Sequence, residues 1–345
     1  MRKELPMNLN IPYSGMIRDR NRLIAILSDT SNQTWYAENF IPLLLYPNGN
    51  IHCYDTTNFY EVFNLYDQVI ETKLMNETNA SAVKREIGNN RYVIALVDEY
   101  YLRGCVYYQS MHKHQEILVY GYDDQNETFL FHGSQIDKKD YGCGECRYGD
   151  FEVALLSAFE KINEIESDVW RAMFGHPLSC FRLKSWDADL NIRKIYYHFS
   201  NLAAGKTITV SHNQNTETFY AGSNIFDEMI KNFEQIRNGK KRSYERSIWC
   251  IKLLAGYFIS YKDIFDLIRE QCGIDMGSDV GEMVEAISKA VMSVYALLQK
   301  YVVTEKSRNI DRAIEMISIV KGKSEMVWER VSSSLYKYLI QEPQS

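Results

Sequence analysis

The chain has 345 residues, 46% of them hydrophobic and 24% charged, an ordinary globular composition that excludes disorder over most of its length. Its 39 basic and 45 acidic side chains give a net charge of −6, without the basic excess of a general nucleic-acid or anionic-membrane binder. The length points to about two domains. The opening Met-Arg-Lys-Glu-Leu-Pro-Met-Asn-Leu-Asn-Ile-Pro lacks an apolar signal core, and no run of about 18 apolar residues follows. Seven scattered cysteines, an odd number, then read as reduced thiols of a cytoplasmic protein.

In chain order, the first clear apolar run is Phe40–Tyr46, closed by the turn signal Pro47-Asn48-Gly49-Asn50. Ala80–Ile87 reads as a short helix stopped at Gly88-Asn89-Asn90. Tyr92–Val97 is a continuous, partly β-branched apolar run and reads as a strand covered on both faces. Ile117–Tyr122 and Thr128–His132 flank Asp123-Asp124-Gln125-Asn126, the pattern of an antiparallel hairpin. From Asp150 to Glu166 the period turns helical, and Val153, Leu156, Phe159 and Ile162, with Leu155 beside them, are expected to form the buried stripe. Phe181–Lys184 is a candidate closing strand. From about 189 onward the chain reads as almost all helix. Val280, Val284, Ile287, Val291, Val294 and Leu298 form the most regular stripe, in spacings that suit a packed bundle. The expected fold class is therefore α+β, with an α+β domain over 1–188 and a helical domain over 189–345.

A thiol nucleophile needs a base within hydrogen-bond reach and a third group to orient that base. Cys53 follows a turn, and His112 and His114 stand at the entry to a strand. A Cys that precedes a strand-entry His is the chain order of papain-like folds. Asp98, at the end of the Tyr92 strand, is a candidate cap or orienting carboxylate. Cys143-Gly144-Glu145-Cys146 is a lone C-x-x-C without a second pair. It reads chiefly as a turn between strand and helix, with zinc or redox roles as minor options. Phosphate loops, dinucleotide fingerprints and H-E-x-x-H are absent, so no cofactor or metal is expected. The segment Arg237–Arg246 holds Arg237, Lys240, Lys241, Arg242 and Arg246 against the single acid Glu245. It is a candidate docking patch for an acidic partner such as a carrier protein, or else a solvated connector between helices.

The blocks Tyr92–Leu102, Tyr107-Tyr108-Gln109 and His112–Asp124 resemble the N-terminal domain family of the butirosin biosynthesis protein H. Phe219–Phe226 resembles a further element of that family more faintly. The resemblance implies a papain-like fold for the N-terminal domain. It also implies a role in specialised-metabolite or peptide natural-product biosynthesis, by cysteine-dependent acyl transfer from a carrier protein to an amine. For that chemistry the residues themselves offer Cys53 as nucleophile and His114 as base, with Asp98 as a third candidate. The family's His stands six residues before the Gly of the "GYD" turn. Counted back from Gly121, that position is Gln115, one residue from His114 and on the other face of a strand. The family's acidic residue would fall near Gly133. Three readings stay open: an acyltransferase, a catalytically silent scaffold that binds a carrier protein or peptide, and a cysteine peptidase or amidase with water as acceptor.

Overall fold

The computed structural model describes residues 1–7, 26, 32–47, 49, 51–53, 67–137, 139–162, 178–186, 188–212, 215–239 and 244–341. The architecture is mixed α+β, with antiparallel sheets followed by a helical region. The chain divides into two compact units. The first includes Tyr60–Trp186 and the N-terminal strand; the second takes Gln33–Phe59 and Asp187–Ser345.

Strand β1 (Arg2–Glu4) opens the first unit. Helix α1 (Gln33–Asn39) and the short strands β2 (Leu44–Leu45) and β3 (Ile51–His52) belong to the second. The chain then returns to the first unit with β4 (Ile70–Leu74), α2 (Ala80–Gly88), β5 (Tyr92–Asp98), β6 (His114–Asp123), β7 (Thr128–Ile136), β8 (Lys139–Arg147), α3 (Tyr148–Ile162) and β9 (Leu178–Leu183). These strands form one antiparallel sheet ordered β4-β9-β5-β6-β7-β8, with β1 paired to the far end of β6. The expected hairpin is present, with Tyr122 opposite Phe129 and Asp123 opposite Thr128. Its register shifts between Val119 and Gly121. A side chain at Gly121 would stand 2.7 Å from the Lys3 carbonyl oxygen and 2.9 Å from Leu130, so glycine there lets β1 approach.

Helix α2 starts where the Asn79 side chain accepts the Ala82 N–H at 2.9 Å, and the Glu152 carboxylate takes the Ala80 N–H at 2.7 Å. Helix α3 buries Phe151, Ala154, Leu155 and Ala158. Of the expected stripe Leu155 is buried, but the rest is corrected, for Val153 and Leu156 are exposed. A spacing of three slips about 60° around the helix at each step, so Val153, Leu156, Phe159 and Ile162 cannot share one face, whereas spacings of three and four together can. The segment 163–166 lies outside the described residues. The C-x-x-C is also corrected: it lies inside β8, not in a turn. Cys143 and Cys146 are three apart on a strand and point to opposite faces, so they cannot chelate one ion together. Among the described residues no cluster of His, Cys, Asp and Glu is placed to hold a metal.

In the second unit, α4 (Ile192–Ala204) is followed by a hairpin of β10 (Lys206–His212) and β11 (Asn215–Ala221), which interrupts the expected run of helix. The sheet is ordered β10-β11-β2-β3. The alternation Thr207-Ile208-Thr209-Val210 is the strand signal. Next come α5 (Asn224–Arg237), α6 (Tyr244–Ile259), α7 (Tyr261–Cys272), α8 (Ser278–Thr304) and α9 (Ser307–Gln341). All six side chains of the most regular predicted stripe on α8 are buried, and α9 packs against it. At the centre, Trp328 donates its Nε1–H to the Tyr261 hydroxyl at 3.0 Å. Tyr261 shares a hydrogen bond with Tyr257, whose hydroxyl reaches the Ile41 carbonyl at 2.5 Å. Among the described residues no helix is long and apolar enough to cross a membrane.

His198 is buried on α4 and hydrogen-bonded to the Glu38 backbone. Burial, with the charge of Lys194 added, pushes its pKa from 6.5 down to about 4. As pH falls, the unfolded chain therefore takes the proton first. The stability this histidine contributes is complete above about pH 6.5 and drains away towards pH 4, by about 3 kcal/mol in all. Urea unfolding of the second unit at pH 7 and pH 4.5 is expected to show a smaller loss in His198→Gln than in the wild type. Equal losses would remove His198 as the cause.

Candidate functional site

The geometry of interest gathers where β5 ends. Asp98 is the last residue of β5, and its carboxylate is fully buried. Burial alone would cost such a charge several kcal/mol. Four donors surround it. Its Oδ1 accepts the backbone N–H of Tyr100 at 3.1 Å and of Lys113 at 3.2 Å. Its Oδ2 accepts the Ser157 hydroxyl of α3 at 2.8 Å and lies 2.6 Å from His112 Nδ1. Burial pushes the pKa up, but the bonds from His112, Ser157 and Tyr100, with His114 close by, hold it below the usual carboxylate range. The carboxylate is therefore ionised at neutral pH, and Nδ1 of His112 is the nitrogen that donates to it.

The loop 99–113 brings these groups together. Asp98 caps a short 3-10 turn, Glu99–Tyr101, and the Glu99 N–H closes the loop on the Lys113 carbonyl at 2.9 Å. Further backbone bonds knit its interior, among them Gln109 to Tyr100 and Met111 to Tyr107. The Tyr100 ring stacks on the His112 imidazole at 4.3 Å, with the planes 19° apart. One edge of the ring is thus bonded to Asp98 and one face is covered. The other ring nitrogen, Nε2, is left for proton exchange, and the His112 side chain is 57% exposed. A buried carboxylate that holds Nδ1–H and leaves Nε2 basic is the arrangement of a general base.

Of the three residues nominated from sequence, the structure brings two together. His114 opens β6 opposite Asp98, yet its Nε2 stands 3.9 Å from Oδ2 and makes no hydrogen bond. The hydrogen bond goes to His112 instead. Cys53 follows β3 in the second unit and is 5% exposed. No acid occupies the position near Gly133; the carboxylate that meets His112 comes from β5, two strands earlier in the chain. In the nominated docking patch, Arg237 is paired with Asp311 at 3.2 Å. Lys240, Lys241 and Arg242 lie outside the described residues, and Arg246 falls within α6.

Sequence reasoning missed His112 as the bonded imidazole, Tyr100 as its cover and Ser157 as a partner of Asp98. The pattern Asp98-Glu99-Tyr100-Tyr101 held a signal, because an Asp followed by helical backbone is a cap that ties itself to the next loop. Ser157 had none, since it meets Asp98 only through the packing of α3 on the sheet. Compared with known proteins, no family model matches the chain and no curated protein is significantly similar to it.

Proposed function

We propose that this protein is a papain-like, cysteine-dependent acyltransferase of specialised-metabolite biosynthesis, with His112 as its proton carrier and Asp98 as the group that orients it. The observation that carries this reading is the 2.6 Å contact between His112 Nδ1 and the buried Asp98 Oδ2. The resemblance of the blocks between 92 and 124 supports the same chemistry. In the first step a cysteine thiol gives its proton to Nε2 of His112. Its sulfur attacks the thioester carbonyl of a carrier-bound acyl group. The carrier's thiol leaves with the proton from His112, and an acyl-enzyme thioester remains. An amine then attacks that thioester. Its proton passes through Nε2 back to the departing cysteine sulfur, and the product is an amide.

A second reading, the catalytically silent scaffold for a carrier protein or peptide, draws on the burial of Cys53. A thiol closed off from solvent is a poor nucleophile. Labelling separates the two readings. The full-length protein is treated at pH 7 with a limiting amount of an iodoacetamide probe, and the modified cysteines are mapped by mass. The acyltransferase reading expects rapid modification at one cysteine, Cys53 being the first replaced by Ala, and a slowing of about tenfold or more in His112→Ala. Modification no faster than that of a free thiol, and indifferent to His112, would leave the scaffold.

A further inference from the structure

We infer that Tyr100 is a positioning residue that selects which of two histidines partners Asp98, holding the carboxylate on His112 and away from His114. This rests on reading His112 as the proton carrier and adds what makes it so.

Two imidazoles compete for one oxygen. His112 Nδ1 is 2.6 Å from Asp98 Oδ2, and His114 Nε2 is 3.9 Å from the same atom. The backbone alone favours His114. It opens β6 directly opposite Asp98, and its side chain is 21% exposed. A movement of that side chain by about 1 Å would complete a hydrogen bond. His112 stands on the loop with its side chain 57% exposed, so it has more freedom to lose on being held. The choice decides the chemistry. Bonded through Nε2, His114 would keep only Nδ1 free, on a side chain closed to most of the solvent.

The Tyr100 ring offsets the cost of holding His112. It stacks on the imidazole at 4.3 Å, with the planes 19° apart. The Tyr101 ring meets Tyr100 edge-on at 5.1 Å and lies 6.0 Å from His112, so the stacked ring is itself braced. The Tyr100 backbone is fixed on both sides. Its N–H is donated to Asp98 Oδ1, and its carbonyl accepts the Gln109 N–H at 3.0 Å. Gln109 makes that bond at a φ of +51°, in the left-handed region that a side chain disfavours. The loop is thus most tightly determined at the residue whose ring covers His112.

The test uses full-length protein labelled with nitrogen-15, at about pH 8.5, above the ordinary histidine pKa. Proton–nitrogen NMR follows the low-field N–H proton bonded to the carboxylate, which the wild type carries on His112 Nδ1. Tyr100→Ala keeps the backbone N–H to Asp98 and removes only the ring. It is expected to lower the His112 share of that signal about tenfold, the scale of an aromatic stack, and to bring up the matching signal on His114 Nε2. Tyr100→Phe is expected to match the wild type, since the ring alone makes the stack. Tyr100→Leu replaces the Ala variant should that one fail to fold. An undiminished His112 signal without the ring, a loss with no gain at His114, or an equal loss in Tyr100→Phe would overturn the inference. Cysteine labelling in the wild type judges the acyl-transfer reading separately. A handover to His114 without a reactive cysteine sinks only that reading, and a reactive cysteine without the handover sinks only this inference.

Discussion

Asp98→Asn is expected to abolish proton transfer at His112 while keeping the side chain's shape, with the proposed acyl transfer lowered by roughly 10²–10⁴-fold. Two backbone N–H groups, from Tyr100 and Lys113, already require an acceptor at Oδ1. The amide of an Asn must therefore turn its oxygen to them and its NH₂ to His112. Facing a donor, Nδ1 becomes the acceptor and the proton moves to Nε2, the atom needed as base. Nitrogen NMR of His112 should show the tautomer reversed, and an unchanged tautomer would refute this account of the site. Asp98→Ala is expected to cost more in stability, about 2–4 kcal/mol, because it strands the N–H groups and the Ser157 hydroxyl. The pH dependence has a definite sign. The folded pKa of Asp98 is lowered, so its contribution is present above the ordinary carboxylate pKa near 3.8 and is lost as pH falls through the folded value. The stability gap between wild type and Asp98→Asn should thus narrow below about pH 4.

Trp328→Ala is expected to destabilise the second unit by about 3–5 kcal/mol, the cost of emptying a fully buried indole site. The ring stacks on Phe226 and Phe258 at 6.2 Å from each, so its loss loosens contacts with both α5 and α6. Trp328→Phe separates the two contributions. It keeps most of the packing and removes the N–H donated to Tyr261, for a cost of about 1 kcal/mol. Denaturant unfolding of both variants should give these two steps. A Phe variant as unstable as the Ala variant would mean that the tyrosine network, rather than ring packing, holds the centre.

Much of this fold is legible in the sequence where one physical signal dominates. The runs Tyr92–Val97 and Ile117–Tyr122 are strands because β-branched apolar side chains recur beyond what a surface would carry. The α8 stripe is legible because alternating spacings of four and three match the helical period over six positions. Strand β8 was hidden, since Lys139-Asp140-Tyr141-Gly142-Cys143-Gly144 has neither apolar alternation nor β-branched residues. Its pairing with β7 supplies what local propensity does not. Gly144 has a reason that only the pairing reveals: a side chain there would stand 2.6 Å from the Phe131 ring. The site was half legible. Asp98 and the His112–His114 pair stood out by residue type. The choice between the two histidines depends on where a fifteen-residue loop closes, and no periodicity encodes that.

The assignment of Gln33–Phe59 to the second unit has a consequence for synthesis. This segment leaves the ribosome early, but of the two strands that Leu44 and Leu45 pair with, β3 and β11, the second is made only after the whole first unit. Until then Phe40-Ile41-Pro42-Leu43-Leu44-Leu45, all buried in the finished fold, lacks β11 and the helix that carries Tyr257. Such a stretch is a natural target for a holding chaperone and a place where nascent chains can associate wrongly. The same interleaving means that a fragment beginning at 189 would lack β2 and β3. The second unit cannot be produced by one cut, and expression of the helical half alone would leave β11 as a bare sheet edge open to aggregation.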